Sequence, residues 1–324
     1  MNYRTLGSTG LRVSTIGFGA WGIGGDHGGS VAYGATDDTQ SAQALRCAYD
    51  MGVTFFDTSS FYGFGHSERL IGSTFKDVRD NVVIATKVGL IDADGTQDFS
   101  ASFIRRSLEQ SLKNLQSDYV DLLQLHSPPV DVLGDAGQTL RELQEQGLVR
   151  AFGVSVRQPD DALIAIDDHA YPVVQTNLNL IDQRALASGA LAKCEQQGVG
   201  VIARTPLCFG FLTGRYSSGT SYDAGDHRTN WSKEQIDVWA NAYAKFQDVH
   251  DRYPDQTAAQ IALRYCMTET GVSTVIPGML RDHEVQENAA AGGLSPLTER
   301  DMADIHEIYQ STSFFVARKR ANSV

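Results

Sequence analysis

Short apolar runs of strand length recur eight times along the 324 residues, each followed by a stretch with helical spacing, and this alternation leaves few folds open. The runs lie at 15–18, 53–56, 82–85, 120–125, 151–154, 173–175, 199–203 and 275–276. Between them, Ile104, Leu108, Leu112 and Leu115 share one helical face, and Ala258, Ile261, Ala262 and Tyr265 another. Ala44, Leu45, Ala48 and Met51 predict the apolar side of the first full helix, which starts near Asp37 and Asp38. Runs this rich in Val, Ile and Leu fit parallel strands buried on both faces. Eight such units predict one closed (β/α)8 TIM barrel over residues 1–324 rather than two domains. Segments 3–6 and 11–13 flank Gly7-Ser8-Thr9-Gly10 and predict an amino-terminal β-hairpin. Residues 298–309 read as a terminal helix, and 317–321 as a solvated end.

Charge and cysteine usage narrow the function. Lys plus Arg number 27 against 39 Asp plus Glu, a net charge of −12, which argues against a nucleic-acid binder. Cys47, Cys194, Cys208 and Cys266 lack the short paired spacing of a zinc or disulfide framework, so reduced thiols are expected. The amino terminus lacks a signal-like apolar stretch and no apolar run reaches spanning length, so the expectation is a cytoplasmic protein without membrane contact. Gly17 to Gly22 satisfies the dinucleotide pattern G-x-G-x-x-G, with Asp37 twenty residues past Gly17. That pattern needs a helix to open at its last glycine, whereas 22–34 continues as a Gly-rich loop, so the match is read as accidental.

In a barrel of this kind chemistry sits where strands finish. The second run ends in Asp57, the third in Lys87 and the fourth in His126, while Tyr62 hangs in the loop after Asp57 between Phe61 and Gly63. Singly, each has an ordinary reading: an Asp capping a turn, a solvated Lys, a His bound to local backbone, a packed Tyr. Together they form a proton-handling set. An ammonium about 4 Å from a phenol in a partly dry cleft favours the phenolate by roughly 4 kcal/mol at an effective dielectric of about 20. Lys87 can be that cation, Asp57 can hold it, and His126 can hydrogen-bond a substrate oxygen. Such a set protonates an oxygen as it becomes negative, as carbonyl reduction requires. Nothing in it supplies hydride, which points to a nicotinamide.

The chain resembles an aldo-keto reductase over nearly its whole length. The resemblance is carried by the opening Tyr3-Arg4-Thr5-Leu6-Gly7, by Asp57-Thr58-Ser59 with Tyr62-Gly63 and Ser67-Glu68, by Lys87, and by Asp118-Tyr119-Val120-Asp121 leading to His126. It implies a (β/α)8 barrel that binds NADP(H) across its carboxyl face. Tyr62 is then the general acid in reduction, with Asp57, Lys87 and His126 completing a tetrad. The resemblance further implies that Gly19, Trp21 and Asp57 touch the cofactor, and that Ser155 and Gln175 face the carboxamide, Val156 standing where an Asn is usual. Arg204-Thr205-Pro206-Leu207 takes the place of a segment whose Tyr stacks on nicotinamide. Phe209, Gly210, Leu212 and Gly214 match the pyrophosphate loop. Gly278, Leu280, Arg281, Glu284, Glu287 and Asn288 match the adenosine grip, Arg281 at the 2'-phosphate. Glu284 stands where a Gln is common, and a carboxylate there can favour an unphosphorylated ribose, which keeps NAD(H) as the alternative.

The substrate pocket is expected from Trp21, Phe61, Tyr62, His126 and Trp231, whose rings suit a flat or sugar-like small molecule. Segment 216–231 is read as an irregular, mobile loop over it. The leading expectation is a carbonyl–alcohol oxidoreductase. A sugar dehydrogenase working oxidatively and a slow nicotinamide-binding redox sensor are the alternatives. A metal-dependent hydrolase is disfavoured, because no pair of His at ligand spacing closes a strand, and no metal is expected.

Overall fold

The polypeptide begins with an antiparallel ribbon, β1 (Tyr3–Thr5) against β2 (Arg12–Ser14), and continues into eight parallel strands. These are β3 (Phe18–Gly19), β4 (Phe55–Asp57), β5 (Val83–Val88), β6 (Val120–His126), β7 (Val149–Ser155), β8 (Val173–Asn177), β9 (Gly200–Arg204) and β10 (Val272–Ile276). The structure, a computed structural model, describes residues 1–27, 32–223 and 225–316. The expected tail at 317–321 and part of the expected 22–34 loop lie outside the described residues.

Each strand pairs with the next in sequence, from β3 to β10. The ring closes through parallel bridges Ile16 to Val275 and Gly19 to Gly278. Gly17 N donates to Val275 O at 2.8 Å and Gly19 N to Pro277 O at 2.9 Å. Both glycines are sterically required at this seam. A Cβ on Gly17 would stand 2.8 Å from Phe55 Cδ1, and one on Gly19 2.8 Å from Ile276 O. The G-x-G that mimics a dinucleotide fingerprint therefore lets the first and last barrel strands meet.

Helices cover the outside: α1 (Asp38–Asp50), α2 (His66–Phe75), α3 (Ala101–Leu115), α4 (Leu133–Glu145), α5 (Pro159–Asp167), the short α6 (Arg184–Ala187) with α7 (Ala190–Gln197), then α8 (Lys233–Ala240), α9 (Gln247–Asp251), α10 (Ala258–Thr268) and α11 (Asp282–Ala291). A last helix, α12 (Glu299–Ser311), follows the barrel. Caps start several of them. The Asp37 side chain accepts from Gln40 N, and Thr257 with Gln260 forms a reciprocal box on α10. α1 buries Ala44, Leu45 and Ala48 as its spacing predicts, but Met51 does not join that face. It is the C-cap residue, 36% exposed, because the helix ends one residue earlier and the chain turns away. No helix among the described residues is long and apolar enough to cross a membrane.

Side chains alternate across each strand, so the barrel interior receives every second residue. Its lower half is an apolar layer of Phe55, Ala85, Leu122, Ala151, Val173 and Ile202. Leu6 and Val13 join the same cluster, so the hairpin plugs the barrel floor. Two residues further along the same strands stand Asp57, Lys87, Gln124, Gly153, Gln175 and Arg204. The inward face thus switches from apolar to polar at the height where the strands end.

Candidate active site

The upper layer is built around the Lys87 ammonium, which is fully buried and uses all three of its protons. One goes to Asp57 Oδ1, one to Thr58 O at 2.9 Å, and one to Tyr62 Oη at 3.3 Å. Burial opposes the charge, yet the Asp57 carboxylate and the Tyr62 phenol more than offset it and hold the lysine above its ordinary pKa. Because the phenol oxygen accepts from Lys87, its own proton is left to point into the cleft.

Asp57, 2% exposed, is fixed from its other oxygen. Gln124 Nε2 and Gln175 Nε2 donate to Asp57 Oδ2 at 3.1 and 2.8 Å, and Ser155 Oγ donates to Gln175 Oε1 at 3.2 Å. The carboxylate therefore sits in a satisfied network, the condition under which a buried charge is tolerable.

Local backbone geometry brings Tyr62 back over β5. Ser60 N and Ser60 Oγ both donate to Lys87 O, at 3.2 and 3.0 Å, so one lysine anchors the loop by its carbonyl and the phenol by its ammonium. Gly63, Phe64 and Gly65 then take φ of 59°, 46° and 82°. At Gly63 a Cβ would meet Gly24 O at 2.3 Å, so only glycine fits the turn that returns the chain into α2.

His126 closes β6 with its ring edge-on to Tyr62, centroids 5.8 Å apart. Burial first, then the charges of Lys87 and Arg204, push its pKa well below the ordinary imidazole range, so it is neutral at pH 7. His126 Nδ1 lies 3.0 Å from Ser59 Oγ, which already accepts from Phe61 N at 3.2 Å. The Ser59 hydroxyl has two acceptors within reach, His126 Nδ1 and Lys87 O at 3.5 Å, and when its proton goes to Nδ1 the imidazole proton sits on Nε2, available to an oxygen beside Tyr62.

A cleft of about 570 Å³ opens above this layer. Of the residues singled out in the sequence, Gly19, Trp21, Asp57, Phe61, Tyr62, His126 and Gln175 line it. So do Arg204 to Leu207, Phe209, Gly210, Gly278, Leu280, Arg281, Glu284, Glu287 and Asn288. Lys87 and Ser155 lie beneath and reach it through Tyr62 and Gln175. Leu212 is buried, and Gly214, with φ of 72°, ends the turn against Tyr243; neither is on the lining. Trp231 also stands off the lining, its ring 4.5 Å from Phe209 and 4.8 Å from Trp239, so it supports the wall from behind.

Several lining groups were not singled out: Tyr33, Tyr216, Arg215 and Arg228. Arg228 is held by Asp226 and lies over the rings of Tyr222, Tyr216 and Tyr33 at 4.4, 4.9 and 5.1 Å. His227 N donates to Ala32 O at 2.8 Å, which joins the loop after β9 to the loop after β3. The described residues of segment 216–231 are irregular as expected, apart from a single-turn 3₁₀ helix at His227–Asn230.

The cleft suits a phosphorylated dinucleotide. Cys208, Phe209 and Gly210 all have positive φ, at 44°, 57° and 95°, and shape a concave turn at its middle. Asn288 Oδ1 and Arg204 Nε are buried without a hydrogen-bond partner. Arg204 Nη2 donates to Val156 O at 2.9 Å, so the residue at the place of the usual Asn orients the guanidinium through its carbonyl. At the far end Glu284 accepts from Leu280 N at 2.7 Å and Glu287 pairs with Arg215. Arg281 has no ion-pair partner among the described residues.

A parallel eight-stranded barrel with a buried Lys–Asp pair, a phenol and an imidazole under a nucleotide-sized cleft defines an oxidoreductase-type barrel. The aldo/keto reductase family model matches residues 15–310, and the chain belongs to that family. It is 29% identical to the aldo-keto reductase YhdN of Bacillus subtilis (strain 168), covering 96% of this chain and 95% of that one. A probable voltage-gated potassium channel subunit beta of Arabidopsis thaliana is 30% identical, covering 96% and 97%. Among solved structures, the holo form of aldo-keto reductase AKR11C1 from Bacillus halodurans is similar at a TM-score of 0.76 and 25% identity, covering 95% and 96%. The glycerol dehydrogenase AKR11B4 from Gluconobacter oxydans shares the fold at 0.81 and 24%, covering 98% of each chain.

Proposed function

We propose that this protein is an NADP(H)-dependent oxidoreductase that interconverts an aldehyde, ketone or sugar carbonyl and the corresponding alcohol. The observation that carries the reading is the three-way use of the Lys87 ammonium, which leaves the Tyr62 proton directed into the cleft. When bound, NADPH supplies the hydride. The chain's own groups manage the other half of the reaction. A substrate oxygen between Tyr62 Oη and His126 Nε2 receives two hydrogen bonds, and as negative charge builds on it the phenol releases its proton. The Lys87 charge stabilises the phenolate left behind, and Asp57 keeps that cation in place. In the oxidative direction the same phenolate takes the proton back.

Arg281, with no carboxylate partner, favours the 2'-phosphate of NADP(H) over the bare ribose of NAD(H), since Glu284 is already engaged by the Leu280 amide. Gln175 and Arg204 line the part of the cleft next to Asp57, where a nicotinamide would lie. Trp21, Phe61 and Tyr33 give the outer pocket aromatic walls suited to a small ring or sugar.

The test is a fluorescence titration with NADPH and NADH, followed by turnover of aryl aldehydes and aldoses in both directions. Micromolar NADPH binding with turnover is expected. Tight binding with no turnover of any carbonyl would instead favour a nicotinamide-binding, redox-sensing role, and no nucleotide binding at all would overturn the reading.

A further inference from the structure

Next to the turn that carries Tyr62, three residues from separate elements converge outside the cleft lining. His27 lies on the loop after β3, Asp38 opens α1 and His66 opens α2. One ligand atom from each, two imidazole nitrogens and a carboxylate oxygen, all lie within 4.8 Å of one another. His66 Nε2 is 2.7 Å from Asp38 Oδ1, and the rings of His27 and His66 face each other with centroids 3.7 Å apart and planes 32° from parallel. None of the three lines the cleft.

We propose that His27, Asp38 and His66 form a binding site for a borderline divalent transition cation of the Zn²⁺ class. In a tetrahedral site with metal–ligand bonds of about 2.0–2.1 Å, ligand atoms stand about 3.3 Å apart. Reaching that spacing needs a slight opening of the His66–Asp38 contact and a rotation of the His27 ring out of its stack on His66, so that its in-plane lone pair turns toward the shared position. The burial pattern suits this adjustment: His66 is 9% exposed, whereas the His27 and Asp38 side chains are exposed, so a rotamer change at either meets solvent rather than core. Two imidazoles and one carboxylate leave a fourth position for water.

The surroundings select among cations. Arg69 and Lys113 line the surface depression that also holds Asp38 and His66. Their charges disfavour any ion held by electrostatics alone, which removes Mg²⁺ and Ca²⁺ with their demand for several oxygen ligands. Zn²⁺, Ni²⁺ and Cu²⁺ bind neutral imidazole through donor bonds and tolerate that repulsion better.

The site also bears on the turn beside it. His66 N donates to Gly63 O at 3.0 Å and Ser67 N to Tyr62 O at 3.2 Å, so the turn that presents the phenol ends on a ligand. His27 lies on the same loop as Trp21 and Tyr33, which line the cleft. A bound ion ties that loop to the starts of α1 and α2 and restrains both walls of the Tyr62 turn.

Chelator-stripped protein titrated calorimetrically with Zn²⁺ and with Mg²⁺ at pH 7.5 in a non-coordinating buffer tests the site. Expected are one equivalent of Zn²⁺ bound and no saturable Mg²⁺ binding. Affinity should fall at least tenfold in His27→Ala and in Asp38→Asn, two exposed positions whose replacement spares the core, and should be unchanged in Cys47→Ser. Zn²⁺ should also raise the melting temperature of the wild type and leave that of His27→Ala unmoved. No saturable Zn²⁺ binding, an unchanged affinity in His27→Ala, or loss in Cys47→Ser alone would overturn the proposal. Each readout is metal binding or stability, so the result stands apart from the oxidoreductase reading.

Discussion

The lower and upper halves of the barrel interior are made by the same strands, two residues apart, and obey opposite rules. Below, Phe55, Ala85, Leu122 and Ile202 meet Leu6 and Val13 of the hairpin in a dry, purely apolar layer. Above, Asp57, Lys87, Gln124 and Gln175 are almost as fully buried, but they are joined to one another by directed hydrogen bonds and the Lys87–Asp57 ion pair. The lower half gains stability from area removed from water and is indifferent to chemistry. The upper half spends part of that stability on holding one cation next to one phenol. Its residues are exchangeable only in pairs, because removing one partner strands the other.

This contrast makes predictions of graded size. Tyr62→Phe should lower kcat by about 10³-fold with little change in NADPH affinity or melting temperature, since only the proposed proton donor is lost. Retention of full activity, measured in steady state with a reactive aldehyde, would show that the upper layer does not do the chemistry assigned to it. Lys87→Met should cost at least about 10²-fold in rate and, by leaving Asp57 unpaired, about 3–5 kcal/mol in stability. Adding Asp57→Asn should restore much of the stability in a denaturant titration and none of the rate. Phe55→Ala, in the lower layer, reverses the pattern: about 3–5 kcal/mol of destabilisation with kcat of the folded protein within about twofold. Arg281→Ala should weaken NADPH about tenfold in a fluorescence titration and leave NADH unchanged.

The smallest effect is on acid stability. Burial pushes His126 well below its ordinary pKa and lowers His227 and His250 to about 4. Below about pH 6.5 the unfolded chain therefore binds protons that the folded one refuses, and stability falls as pH drops from there toward 4. A melting temperature lower by about 3–5 °C at pH 5 than at pH 7 is expected by calorimetry. A flat profile would mean that these imidazoles are hydrated in the folded state.

How much of this could be read in the chain differs between the two halves in the same way. Asp57, Lys87 and His126 were visible because each polar residue ends an apolar run, and the run supplies the depth while the interruption marks the strand's end. Gln124 was not, because it sits inside the run Leu122 to Leu125, where one amide among leucines gives no boundary signal. Tyr33 was also missed, and Tyr216 and Arg228 were covered only by the reading of 216–231 as a loop over the pocket. They reach the cleft only because two loops far apart in sequence meet through Ala32 and His227, and no local periodicity encodes such a meeting. Trp231 was placed on the pocket by its loop, and its ring turned out to prefer the apolar company of Phe209 and Trp239. His27, Asp38 and His66 share no short motif: the packing of α1 beside α2 brings Asp38 to His66, and the loop after β3 brings His27 onto the His66 ring.

The seam where Gly17 and Gly19 pair with Val275 and Pro277 joins the beginning of the barrel sequence to its end. Gly19 and Gly278, one from each side of that junction, both face the cleft. A chain still emerging from the ribosome has no β10 to complete this wall, so the cleft comes into being only after residues 272–278 have been made. Once it has, any molecule resting across the junction grips both ends of the barrel at once, and the ring cannot unzip there without first letting that molecule go.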